Sequence, residues 1–242
     1  MNLAVIPARG GSKRVPRKNV RDFCGRPMIA WPVAAAVESG CFDHVVVSTD
    51  DAEIAAVAER WGAEAPFVRP PELSDDHTPT RPVVNHAIRA VTELYGAPEH
   101  VCCLYATAPF VTAADLRDGL RTLTEAGSAF AFTVVAYRHP IQRAFRITAT
   151  GRVAMFQPEF RLSRSQDLVP AYHDAGQFYW GHTQAFLDDV VMFSEAAVPI
   201  VVPSYRAIDI DTADDFRHAE LVFAALREGA DPGAAAERRD DG

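Results

Sequence analysis

Short, apolar, β-rich runs recur along the chain at LAVIP, HVVVST, APFVR, HVCCLYAT, AFAFTVVAY and VPIVVPS. Several are followed by segments with apolar residues at helical spacing, an alternation that implies βαβ units. The runs are continuously apolar rather than alternating, which suits strands buried on both faces of a parallel sheet. Helix starts are marked at Thr112–Asp115 and Thr212–Asp215, where a hydroxyl at the N-cap is followed three residues later by a carboxylate. The expected fold is α/β: a single doubly wound, mostly parallel, Rossmann-like sheet flanked by helices. One domain over residues 1–226 is expected, a length compatible with a single core. One region breaks the alternation. Residues 139–168 read as a β-hairpin turning near Thr150-Gly151, followed by a basic and aromatic stretch, the pattern of a lid or a dimer arm. Residues 227–242 have little to bury and read as a disordered tail.

The first strand runs into AVIPARGGSKRVPRKNV. Residues 1–27 carry seven Lys or Arg against one acid, Asp22, in a chain whose net charge is −8. Lys13 and Lys18 are the only lysines, and an ammonium is a compact point-charge partner for phosphate. The loop joins a buried strand to a helix expected to begin near Pro27, and ligands of open α/β sheets bind at the carboxyl ends of strands. Gly10 and Gly11 would let the backbone approach an anion, with successive N–H groups forming a nest. Neither G-x-x-x-x-G-K-[ST] nor G-x-G-x-x-G is present. The acidic balance argues against a nucleic-acid surface. No run approaches the roughly 18 apolar residues of a membrane span, so a cytoplasmic protein is expected.

In YRAIDIDTADDF, Asp209 and Asp211 lie two apart on an extended segment and share a face. Paired carboxylates suit Mg²⁺, which takes one or two of them together with substrate phosphates. A phosphate cradle and a carboxylate pair together suggest a nucleoside triphosphate. The four cysteines lack C-x-x-C spacing and read as small buried hydrophobes.

These residues resemble a known family. IPARGGSKRVPRKN, RPPELSDD and DIDTADDF match, in order, signatures of the N-acylneuraminate-type cytidylyltransferases. YATAPF, HPIQRAF, MFQPE, SRSQDL and YHDAGQFYW are most similar to the branch that acts on pseudaminic acid. The resemblance runs from Asn2 to about Leu226 and implies a reaction in which CTP and an acidic nine-carbon sugar give a CMP-sugar and diphosphate.

By that resemblance Ala8, Arg9, Gly10, Gly11, Ser12, Lys13, Lys18 and Asn19 would bind the nucleotide phosphates. Arg69 would lie by the cytosine, Thr107 would line the nucleotide floor, and Asp209 and Asp211 would hold Mg²⁺. Arg9, Lys18, Asp209 and Asp211 are the implied catalytic set. Gln142, Arg143, Arg164, Tyr172, Gln177, Phe178 and Tyr179 would face the sugar. The family usually forms homodimers in which an arm reaches the partner's sugar site. The proton acceptor stays open between metal-assisted ionisation of the hydroxyl and Asp209 or Asp211. Two rivals are a cytidylyltransferase for legionaminic, N-acetylneuraminic or deoxyoctulosonic acid, and a nucleotide-binding scaffold without turnover.

Overall fold

The computed structural model describes residues 1–227, and the expected tail lies outside them but for Arg227. In chain order the elements are β1 (Asn2–Pro7), β2 (Asp22–Phe23), β3 (Arg26–Pro27), α1 (Ala30–Ser39), β4 (His44–Ser48), α2 (Ala52–Arg60), α3 (Thr80–Tyr95), β5 (His100–Leu104) and α4 (Ala113–Ala126). They continue with β6 (Phe130–Ala136), β7 (Phe145–Ile147), β8 (Val153–Met155), β9 (Tyr172–His182), α5 (Thr183–Leu187), β10 (Ala197–Val201) and α6 (Ala213–Arg227).

Six strands form the central sheet in the order β10-β6-β9-β5-β1-β4. β1 is parallel to β4, with Val5 opposite Val46, and to β5, with Ala4 opposite Cys102. β6 is parallel to β10. β9 runs against both of its neighbours, pairing Cys103 with Tyr179 on one side and Phe132 with Tyr179 on the other. The sheet is therefore mostly parallel, as its apolar runs imply, with one reversed strand at its centre.

Two strand assignments change. APFVR is irregular, and its neighbour Glu64 makes only an isolated bridge to Val46. The polar opening of β9, Tyr-His-Asp-Ala-Gly-Gln, masks a strand whose second half is buried throughout. Alternation along that half puts Phe178 and Trp180 into the apolar layer under α1, α2 and α4. Tyr179 faces the opposite layer, with Val84, Ile88 and Val91 of α3 and Phe186 of α5. Cys102 and Cys103 divide between the same two layers, whereas Cys24 and Cys41 are only partly buried.

Both expected helix caps form. Thr112 Oγ1 accepts from Asp115 N while the Asp115 carboxylate accepts from Thr112 N at 2.8 Å; Thr212 and Asp215 repeat the exchange at 2.7 Å ahead of α6. Such a box satisfies helix N–H groups that have no partner within the helix. α1 begins at Ala30, slightly later than expected. The hairpin β7–β8 is present, with Thr148 N donating to Arg152 O and Gly151 at φ 73° making the turn.

A third apolar cluster positions the site. It joins Val15 of the basic loop to Phe23, Met28 and Phe110, to Phe216, Ala219 and Phe223 of α6, and to Ile210. Burying Ile210 holds Asp209 and Asp211 beside the basic loop, although some 190 residues separate them in sequence.

Candidate active site

A cavity of about 440 Å³ opens at the carboxyl ends of β1 and β5. Pro7, Arg9, Ser12, Lys13, Arg14, Lys18 and Asn19 line it from the first loop, Tyr105, Ala106 and Thr107 from the segment after β5, and Asp76 from the loop ahead of α3. Four cationic side chains thus face one carboxylate, a field that concentrates polyanions.

Asp76 bridges the cations: Arg9 Nη1 and Lys13 Nζ donate to its two oxygens. They hold the Asp76 carboxyl well below the usual carboxylate range, at about 2. Arg9 Nη1 also donates to Asp75 O at 3.1 Å, and Asn19 Nδ2 donates to Arg9 O at 2.9 Å, closing the loop on itself. Asp75 accepts from His77 N and Thr78 N, so its own loop is tied by an Asx turn while Asp76 faces inward.

Arg14 Nη2 lies 2.7 Å from Asp211 Oδ1, and Lys18 Nζ lies 3.9 Å from the same oxygen. Lys18 also donates to Ile210 O. Burial lowers the Lys18 pKa, and Asp211 and Asp209 oppose the shift. Partial burial and the neighbouring Asp211 raise the Asp209 carboxyl. Among the described residues Asp209 has no hydrogen-bonded partner, and neither it nor Asp211 lines the cavity, although Asp211 lies beside Arg14 and Lys18, which do. A hard cation relieves the repulsion between the two carboxylates, and the residues fit Mg²⁺ held with substrate phosphates.

The two glycines have different surroundings. A Cβ on Gly10 would stand 2.6 Å from Asp51 Oδ2, whereas one on Gly11 would meet nothing within 4 Å. Gly10 is required by the approach of the loop to the start of α2, and its N–H donates to Asp50 Oδ1 at 3.0 Å. Ala8 is buried, its N–H bonded to Ser48 O at 2.9 Å. Arg69 is 4% exposed, with Nη2 3.6 Å from Asp50 Oδ1. Its Nε and Nη2 find no hydrogen-bond acceptor, and Arg69 does not line the cavity.

An adjoining cavity of about 380 Å³ shares Tyr105 with the first and is lined by Thr80, Cys103, Asp174, Tyr179, Phe186 and Phe193, among others. Tyr179 Oη donates to Asp174 Oδ2 at 2.6 Å, and burial raises the Tyr179 pKa. Of the residues expected at the sugar, only Tyr179 lines this cavity. Phe178 is corrected to a core residue, fully buried under α4. Gln177 is buried, its Nε2 donating to Arg206 O. Gln142 Nε2 donates to Val169 O at 2.8 Å, Arg143 reaches Ser165 Oγ at 3.5 Å, and Arg164 Nε pairs with Asp167 at 3.0 Å. Those three and the exposed Tyr172 line neither cavity.

Residues 3–193 match the family model described as cytidylyltransferase. The chain belongs to the cytidylyltransferase family. This cytidylyltransferase is 44% identical over 229 residues to the pseudaminic acid cytidylyltransferase of Campylobacter jejuni, a match covering 95% of this chain and 99% of that one. It is 31% identical to the CMP-N,N'-diacetyllegionaminic acid synthase of Legionella pneumophila, over 93% of this chain and 97% of that one. Its fold resembles CMP:2-keto-3-deoxy-manno-octonic acid synthetase in complex with CTP, with a TM-score of 0.66 at 16% identity over 93% of this chain and 99% of that one.

Sequence reasoning missed several residues of the cytidylyltransferase site. Asp76 lay in plain view within RPPELSDD, an acid among cations. Asp50 and Asp51 follow β4 at the carboxyl edge where α/β ligands bind, and that position was the available signal. Arg17, at φ 55°, forks onto Asp51 and Glu53 and pins the basic loop to the start of α2.

Proposed function

We propose that this cytidylyltransferase joins CTP to pseudaminic acid, giving CMP-pseudaminic acid and diphosphate. The observation that carries the reading is the cavity in which Arg9, Lys13 and Lys18 converge beside the Asp209–Asp211 pair. The 44% identity to a pseudaminic acid enzyme over nearly the full length of both chains supports the sugar.

In this reading the anomeric hydroxyl attacks the α-phosphorus in line with departing diphosphate, and charge grows on the leaving group. Arg9 and Lys13 take the terminal phosphates once Asp76 gives way, and Lys18 faces the α-phosphate. Arg14 holds Asp211 by one oxygen and thereby aims the pair. Mg²⁺, held by Asp209 and Asp211, would neutralise phosphate charge and bring the reactants together. Thr107 and Ala106 form the floor under the nucleoside, and the unpartnered N–H edge of Arg69 donates to the base. The cavity holding Tyr179 and Asp174 receives the sugar. Fixed cations around growing charge lower the barrier without having to reorganise.

We also propose a homodimer built on residues 139–168, where Ile147, Val153 and Leu162 are 76%, 71% and 83% exposed. Ile147 and Val153 pair across the hairpin, and apolar side chains this exposed suit an interface. Gln142, Arg143 and Arg164, which lie on this arm, would then reach the partner's sugar.

Diphosphate release from CTP and Mg²⁺, with pseudaminic, legionaminic and N-acetylneuraminic acids offered separately, tests the function. Release with pseudaminic acid alone is expected, falling about 10²–10³-fold in Asp211→Ala. Release with another sugar keeps the chemistry and replaces the substrate; none with any of the three favours a non-catalytic nucleotide binder.

A further inference from the structure

Asp50 follows β4, and its two contacts at the site have been given no role so far. Its Oδ1 accepts the N–H of Gly10 at 3.0 Å and stands 3.6 Å from Arg69 Nη2. Gly10 belongs to the loop that takes phosphates. Arg69 belongs to an irregular segment on the other side of α2, anchored by its own N–H on Thr49 O at 2.8 Å. One carboxylate oxygen therefore touches both of the groups expected at opposite ends of a nucleotide.

The surroundings sharpen the role. Arg69 is 4% exposed, and Asp50 is the only carboxylate paired with it among the described residues. Arg9 works against that pairing, because its positive charge and the burial of Arg69 both push the Arg69 pKa down. Asp50 itself reaches solvent, but removing it leaves the buried Arg69 charge uncompensated, and such a group moves or recruits water. The distance to Asp50 suits an ion pair but leaves Nη2 without a hydrogen bond, so the guanidinium is held by charge while its donor edge stays available. On the loop side Gly10 lies close against Asp51 at the start of α2, where a Cβ would stand 2.6 Å from Asp51 Oδ2.

We propose that Asp50 is a positioning residue that sets the phosphate loop and the Arg69 guanidinium in register, so that a triphosphate seated on the loop presents its base to Arg69. The proposal rests on the nucleotide reading given above. It assigns Asp50 two separable contacts. A neutral amide at this position keeps an acceptor for Gly10 N–H and loses the charge that holds Arg69, whereas alanine loses both.

Calorimetric binding of CTP and of inorganic tripolyphosphate, which has no base, separates the contacts. Asp50→Asn is expected to weaken CTP about tenfold and leave tripolyphosphate within about twofold of wild type. Asp50→Ala is expected to weaken both. In an Arg69→Ala background Asp50→Asn should change CTP binding no further, because the group it acts through is gone. Thermal unfolding of each variant reads any loss of fold. Equal weakening of both ligands by Asp50→Asn, together with a lowered melting temperature, would mean that Asp50 is merely structural and would overturn the proposal. So would wild-type CTP affinity in Asp50→Asn. A wild-type protein that binds tripolyphosphate but not CTP would instead bring down the nucleotide reading, and the coupling with it.

Discussion

At the scale of single residues, the site is occupied by its own acid. Asp76 takes both Arg9 and Lys13, the cations proposed for the triphosphate, so in that reading nucleotide competes with a carboxylate already in place. The pairs are solvent-exposed, and exposed pairs are weak, which lets phosphate win at modest cost. Asp76→Asn is accordingly expected to bind tripolyphosphate about 3- to 10-fold more tightly, because phosphate then meets the two cations without a competing carboxylate. Weaker binding in a titration would show that Asp76 aligns the cations instead. Asp209 has the opposite character. Its pKa in the folded protein is raised, so its contribution to stability is present below the unfolded carboxylate pKa and is lost as pH rises through the raised value. At neutral pH the ligand-free fold carries the cost of an ionised, repelled carboxylate. Asp209→Asn should therefore melt higher than wild type at pH 7, lose that advantage below about pH 3.8, the usual aspartate value, and turn over about 10²–10³-fold more slowly. Parallel melting curves at the two pH values check the sign.

Elements show why some of this could be read in advance and some could not. Strands β1, β4, β5, β6 and β10 announce themselves because they are apolar on both faces. The boxes at Thr112 and Thr212 are local chemistry, legible within four residues. β9 was hidden because its first half is polar and only its second half is core, and APFVR was overread because composition alone does not make a ladder partner. Strand alternation at Phe178, Tyr179 and Trp180 is legible in the sequence and holds, with Phe178 and Trp180 in one layer and Tyr179 in the other; the family resemblance nonetheless put Phe178 at the sugar. Asp50, Asp76 and Arg17 escaped because their partners lie far away in sequence, and no local pattern records such a meeting. The fit between α4 and β9 was equally invisible. A Cβ on Gly119 would stand 2.6 Å from Trp180 Cδ1 and 2.8 Å from Phe178 Cε2, while Trp180 Nε1 donates to Leu116 O at 3.1 Å. Gly119→Ala gains helix propensity but overpacks a filled layer, and should cost about 1–3 kcal/mol in denaturant unfolding.

For the whole molecule, the proposed dimer makes the arm at 139–168 part of the enzyme. Leu162→Asp should yield a monomer by light scattering, at unchanged melting temperature if the subunit folds alone. Should the active site be shared, diphosphate release is expected to fall with it; a fully active monomer would remove the arm from the chemistry. The reversed central strand has a consequence of a different kind. β6 is flanked only by β9 and β10, and both come later in the chain. During synthesis from the N-terminus, β1, β4 and β5 emerge as a set that can pair among themselves. β6, with its apolar sequence FAFTVVA, must wait unpartnered while the whole arm is made, and an unpaired apolar strand is an invitation to aggregate. The feature that lets this sheet put an arm out from its middle thus also fixes the order of its assembly: a half-sheet of β4, β1 and β5 first, then β9 to bridge it to the waiting β6, and β10 last.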